Sequence, residues 1–296
     1  MGPLIDDDTA AEPIVCWYED SIRARCKISA IGRRRDRLIL HHATLGDKRI
    51  IAFYGNPLGR GLGVLGNSAP EKMLAQLRAQ TAEYQKVLTG TEVLPAFHMV
   101  VTVADKYPGD DQDYNHRVDS AVIQKWVDWA RQEKVWVILD LQPGRGDVMT
   151  EIDQVEKYLR EPHVQLAIDP EFMVGPKDIP GDTLGAIDGE TINQIQARLD
   201  RIAVSIGQTK VLMFHQFDNR MLKNKDHILN YENVEMVWDA DGFGSPGAKT
   251  QDYDQYRQEA GFDRGGLKLF YIEDSPLMTP EQVMKLVPMP SIVIYQ

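Results

Sequence analysis

Cysteine is scarce in this chain, long apolar runs are missing and positive charge is in deficit, and each shortage excludes something. The 296 residues hold two cysteines, Cys16 and Cys26, too few for a disulfide scaffold or a cysteine-rich zinc site. Ten positions apart in one segment, they read as free thiols, with a single local bridge as the alternative, since cytosolic chains rarely keep disulfides. No run of about 18 apolar residues occurs, so no transmembrane segment is expected. The opening MGPLIDDDTAAEP is acidic and lacks the apolar stretch of a secretory signal. A start at Met1-Gly2-Pro3 leaves localisation open, a secreted or lipoprotein origin included. Lys and Arg number 33 against 44 Asp and Glu, a net charge of −11. That balance argues against nucleic acid or an anionic membrane as partner and leaves a neutral or cationic small molecule. Oligomeric state is not legible.

What is present is a rhythm. From residue 49 onward, short β-rich runs alternate with longer amphipathic ones. The β-rich runs are RIIAFYG (49–55), LPAFHMVVTVA (94–104), VWVILDLQP (135–143), VQLAIDPEF (164–172), KVLMFHQFD (210–218), VEMVWDADG (234–242), GLKLFYIED (266–274) and SIVIYQ (291–296). Helix starts stand between them, as at Ser68-Ala69-Pro70-Glu71 and Thr279-Pro280-Glu281. Eight strands alternating with helices imply one α/β domain, a closed (β/α)₈ TIM barrel over 46–296, with an open doubly wound sheet as the alternative. Residues 1–45 stand apart as an N-terminal extension, an extra hairpin or an arm. Its basic stretch from Arg23 to Arg37 reads as solvated surface rather than as a contact for an acidic partner.

Within the strands, apolar residues alternate with polar ones. Val137, Leu139 and Leu141 oppose Ile138, Asp140 and Gln142; Val164, Leu166 and Ile168 oppose Gln165, Ala167 and Asp169; Met236 and Trp238 oppose Val237 and Asp239. A barrel strand alternates between the helix layer and the interior, so the polar face belongs inside. Polar residues also gather at the C-terminal strand ends, where barrels of this kind carry their chemistry. Tyr54, His98, Asp140, Gln142, Asp169, Glu171, His215, Asp239, Asp241, Tyr271, Glu273 and Tyr295 stand there, while the N-terminal halves are almost free of acids. Crowded carboxylates raise one another's pKa, an arrangement suited to catalysis, metal or a bound cation.

Asp169-Pro170-Glu171 is the sharpest motif: at i, i+2 on a strand both carboxylates point to one side. An acid held protonated by its neighbour is what glycosidic cleavage requires. Glu273, ending the seventh strand, is expected to face them across the mouth. Acids ending strands four and seven resemble the acid/base and nucleophile of retaining (β/α)₈ glycoside hydrolases, which implies those roles for Glu171 and Glu273. Asp-x-Glu on strand four is similar to chitinase- and lysozyme-type barrels, which implies Glu171 as acid and Asp169 as its partner. The block 49–296, through DLQPGRG, AIDPE, HQF, DADGFG, KLFYIEDSP and the final YQ, also resembles an uncharacterised bacterial barrel family akin to glycoside hydrolases. Pro170 stands where the first group has Asn, and Ala167 where the second has Asp.

The expectation is therefore a hydrolase acting on an oligo- or polysaccharide without a cofactor. Catalysis falls to Glu171, Glu273 and Asp169, and substrate binding to Tyr54, His98, Asp140, Gln142, His215, Asp239, Asp241, Tyr271 and Tyr295. The alternatives are a metal-dependent hydrolase of an ester or phosphate in the same cavity, with a divalent ion on the His and carboxylate groups, or a non-catalytic glycan-binding barrel. No H-x-H or H-E-x-x-H spacing supports a metal, although ligands drawn from separate strands escape such a pattern. Gly61-Leu62-Gly63-Val64-Leu65-Gly66 fits a dinucleotide fingerprint but lacks the acid about 20 residues on. It reads as a flexible loop over the barrel mouth. Trp238 is expected in the outer core, Asp274 as a cap on loop amides, and Lys249 and Arg145 at the surface.

Overall fold

The computed structural model describes residues 12–20, 23–30, 39–40, 43–59 and 61–296. Its centre is a closed parallel barrel of eight strands: β1 (Arg49–Gly55), β2 (Val93–Ala104), β3 (Trp136–Leu141), β4 (Val164–Ile168), β5 (Lys210–Gln216), β6 (Val234–Ala240), β7 (Arg264–Leu269) and β8 (Ile292–Tyr295). Each strand pairs with the next, and β8 pairs with β1, which excludes an open sheet. Among the described residues there are six α-helices: α1 (Pro70–Val87), α2 (Ser120–Glu133), α3 (Val148–Leu159), α4 (Gly189–Ile206), α5 (Pro246–Tyr256) and α6 (Pro280–Val283). That is fewer than a complete (β/α)₈ pattern. After β5, 3-10 turns at Asn219–Met221 and Lys225–His227 stand in place of a helix, and α6 is a single turn.

The strand faces follow the sequence alternation. Val137, Leu139, Leu141, Leu166, Ile168 and Trp238 join the helices in the outer core, while Ile138, Ala167, Met213 and Val237 fill the interior. Each buried side chain of this size stabilises by about 1.5–3 kcal/mol, so the period-two pattern fixes the register of every strand. α3 shows how the outer layer attaches. Asp147 caps it by accepting from Thr150 N at 2.8 Å, and Ile152, Val155 and Leu159 turn its apolar side inward.

Segment 43–46 crosses the N-terminal end of the barrel. Leu45 is fully buried in the interior cluster, and Leu45 N and Gly46 N donate to the Glu235 carboxylate at 3.0 and 3.1 Å. Further upstream, strands Glu12–Asp20 and Arg23–Ala30 pair antiparallel, with Cys16 opposite Cys26 in the register, and Ile39–Leu40 joins the first of them in parallel. Arg33, Arg34, Arg35 and Arg37 of the basic stretch, and the acidic start, lie outside the described residues.

The glycine-rich loop after β1 is tied to the barrel rather than free. Leu65 N donates to Tyr54 O at 3.0 Å, and Leu62 reaches the mouth. At Gly63, where φ is +145°, a Cβ would fall on the Tyr54 carbonyl. Glycine is required there for close backbone approach.

Candidate active site

The barrel closes so that inward positions at the C-terminal strand ends converge. Tyr54 of β1, His98 of β2, Asp140 of β3, His215 of β5 and Asp239 of β6 all point inside and are buried. Gln142, Asp169 and Asp241 stand one residue past the ends of β3, β4 and β6, and Lys268 of β7 completes the ring.

Asp140 is the hub. Its Oδ2 lies 3.3 Å from Nε2 of His98 and 3.3 Å from Nε2 of His215. His215 Nδ1 lies 2.9 Å from Asp239 Oδ2 and 3.3 Å from Asp241 Oδ2. Lys268 Nζ sits 3.1 Å from Asp241 and 3.9 Å over the centre of the Tyr54 ring, an ion pair joined to a cation–π contact. Gln142 links the wall to this floor. Its amide donates to Asp169 Oδ2 at 3.3 Å and to the Tyr54 hydroxyl at 3.4 Å, while its carbonyl accepts from Ala104 N at 3.2 Å.

These contacts set the protonation states. Burial opposes charge on His215, but Asp140, then Asp239 and Asp241, outweigh it and raise the imidazole well above its ordinary value. Burial also opposes charge on Asp140, where His215 and His98 overcome it and hold the carboxyl below its ordinary range. For His98 burial wins and lowers the pKa. Burial raises Asp169 to about 7, with Asp140, Asp241 and Glu171 adding to the effect against His215. Glu171 is raised as well, by burial and then by Asp241. Lys268 resists its burial through Asp241, Asp169 and Asp239 and stays above its ordinary value. Two acids whose pKa is pushed upward thus stand beside charged neighbours, the separation of roles that acid catalysis exploits.

Above the floor opens a cavity of about 480 Å³. Tyr54, Gln142, Asp169, Glu171, Asp241 and Lys268 give it polar walls. Phe172, Phe217, Phe243 and Phe270 give it aromatic ones, and Phe243 is 68% exposed at the rim. Asp169 and Glu171 both reach it, though not by strand alternation. β4 ends at Ile168, and a 3-10 turn over Pro170–Phe172 follows, with Asp169 Oδ1 accepting from Glu171 N at 3.2 Å. Pro170 suits the first position of that turn because its fixed φ fits and it has no N–H to satisfy.

Three expected site residues stand elsewhere. β7 stops at Leu269, and Asp274 accepts from Phe270 N at 2.9 Å and Gly244 N at 2.8 Å, curling the chain away. Glu273 is therefore exposed on a turn and does not line the cavity. Tyr271 stacks on Tyr295 with ring centres 5.2 Å apart, outside the barrel. Tyr295 faces α1, where its hydroxyl lies 2.8 Å from that of Tyr84. His98, Asp140, His215 and Asp239 lie beneath the cavity rather than along it. Lys249 is buried rather than exposed, donating to Gly242 O and lying 3.5 Å from Asp274. Lys268 was missed, although Leu267 and Leu269 on either side of it mark it as inward-facing; so were Phe172, Phe217, Phe270 and Asp252 of the wall.

No family model matches this sequence, and no curated protein matches it either.

Proposed function

We propose that the protein cleaves a glycosidic bond in an oligo- or polysaccharide held in this cavity. The observation that carries the reading is the adjacency of Asp169 and Glu171 on one wall, both held above the ordinary carboxylate range by burial. A general acid must keep its proton near the working pH and must reach the leaving oxygen. Glu171 is half-buried, so it reaches the cavity while burial pushes its pKa upward, whereas Asp169 is almost fully buried. Glu171 donates its proton to the glycosidic oxygen as the C–O bond breaks. Asp169, beneath it, orients the acid, and water adds to the sugar carbon and gives its proton back to Glu171, which restores the acid. With Glu273 outside the cavity, the Asp-x-Glu arrangement is the scheme that fits, not a pair across the mouth.

The walls suit a carbohydrate. The phenylalanines offer flat faces for sugar rings, and Gln142, Asp241, Lys268 and the Tyr54 hydroxyl offer donors and acceptors for sugar hydroxyls. A panel of aryl glycosides and polysaccharides tests the proposal, with Glu171→Gln as control. Hydrolysis by the native protein and a loss of about 10²–10⁴-fold in the variant are expected. Sugar binding with no turnover in either protein would instead favour a barrel that only binds glycans.

A further inference from the structure

Beneath the proposed acid pair lies a second cluster that the acid chemistry does not use. His98 Nδ1 and Nε2, Asp140 Oδ1 and Oδ2, His215 Nε2 and Asp239 Oδ1 are all buried and have no hydrogen-bond partner. So many unpartnered groups in one place are unusual, since leaving one buried donor or acceptor unsatisfied costs about 1–3 kcal/mol. The atoms converge instead of scattering. One ligand atom each from His98, Asp140 and His215 lie within 4.8 Å of one another. They come from β2, β3 and β5, so no short sequence motif announces them.

The spacing has a specific meaning. In a tetrahedral site with metal–nitrogen and metal–oxygen bonds of roughly 2.0–2.1 Å, ligand atoms sit about 3.3 Å apart. Both imidazole Nε2 atoms lie 3.3 Å from Asp140 Oδ2, a separation at which neither pair forms a well-directed hydrogen bond. The outer contact also matches. His215 Nδ1 is bonded to Asp239 at 2.9 Å, and a metal-binding histidine usually gives its other ring nitrogen to a carboxylate, which orients the ring and fixes the tautomer. The neighbouring set of His215, Asp239 and Asp241 is the weaker candidate. Its His215–Asp239 bond is already made, and Asp241 is engaged by Lys268 at 3.1 Å.

We infer that His98 Nε2, His215 Nε2 and Asp140 Oδ2 form a binding site for a zinc-like divalent cation beneath the cavity floor. Its three ligands do not line the cavity, so the ion pins β2, β3 and β5 together under Tyr54 and Gln142 rather than touching substrate. The inference stands independently of the glycosidase reading.

The test begins with elemental analysis of the full chain purified without chelator. Chelator-treated protein is then titrated with Zn²⁺ and, separately, with Co²⁺. About one equivalent of bound metal is expected, with a rise in melting temperature of about 5–10 °C on Zn²⁺ addition and the strong visible absorption of tetrahedral cobalt(II). His98→Gln and His215→Gln should each lose the absorption and the thermal shift. Glu171→Gln should keep both while losing hydrolysis, which separates failure of this site from failure of the proposed activity. Wild-type protein that takes up less than a tenth of an equivalent and shows no thermal shift overturns the inference. So does an ion bound equally well by the two histidine variants, because it then lies elsewhere.

Discussion

Glu235 and Asp239 face the same interior from the same strand, four residues apart, yet their surroundings differ. Near the N-terminal end Glu235 accepts from Leu45 N, Gly46 N and, at 2.7 Å, Thr209 Oγ1, and it pairs with Arg264 at 3.2 Å. Close by, Gln165 accepts from Val211 N and donates to Pro162 O, and Lys210 donates to the carbonyls of Glu161 and Val164. At the C-terminal end Asp239 keeps one oxygen unpartnered and Asp140 keeps both. At the first end Glu235, Gln165 and Lys210 are satisfied, an arrangement that serves stability. The other holds carboxyls against each other's charge, an arrangement that costs stability and is characteristic of a site doing chemistry.

If that division is right, substitutions at the two ends should separate stability from activity. The largest effect is expected at the satisfied end. Glu235→Ala strands two backbone amides, a hydroxyl and an arginine, and should cost about 3–5 kcal/mol in urea unfolding. A loss under about 1 kcal/mol would break the comparison. Leu45→Ala should cost about 2–4 kcal/mol by opening a cavity under the barrel, measured the same way. A smaller loss would mean that the segment only rests on the barrel.

At the other end, Asp169→Asn removes a carboxyl from among Asp140, Asp241 and Glu171. It should change stability by no more than about 1 kcal/mol at pH 7 while reducing hydrolysis at least tenfold. Its pH dependence sharpens the point. Folding raises Asp169 to about 7, so between pH about 4 and 7 the folded chain binds more protons than the unfolded one. This residue's contribution to stability therefore falls as pH rises through that window, and the Asp169→Asn variant lacks that fall. The melting temperature of the wild type relative to the variant should rise on going from pH 7 to pH 5. A difference that does not change with pH would show that Asp169 is not held protonated.

Much of this was legible in the residues. Strand faces followed from period-two alternation because burial of one face allows a single register, and that alternation placed Asp140, Asp239 and Trp238 on their proper sides. Tyr295 obeys the same rule, since it alternates with the inward Ile292 and Ile294 of β8 and so faces outward; the rule failed at Glu273 and Tyr271. It presumes that the strand continues, whereas β7 stops at Leu269 and Asp274 curls the chain away through amides that include one from the distant β6–α5 loop. Leu45 was not legible either, because its partner Glu235 lies 190 residues away in the chain. The cluster of His98, Asp140 and His215 needed closure of the barrel to come together, and only its members could be read beforehand.

The most direct test of the proposed chemistry is the initial rate on whichever glycoside the native protein cleaves, compared for Glu171→Gln and Glu273→Gln. The site described above predicts a fall of at least about 100-fold for Glu171→Gln and a wild-type rate for Glu273→Gln. A Glu171→Gln rate within a few-fold of wild type, or a collapse on replacing Glu273, would contradict it.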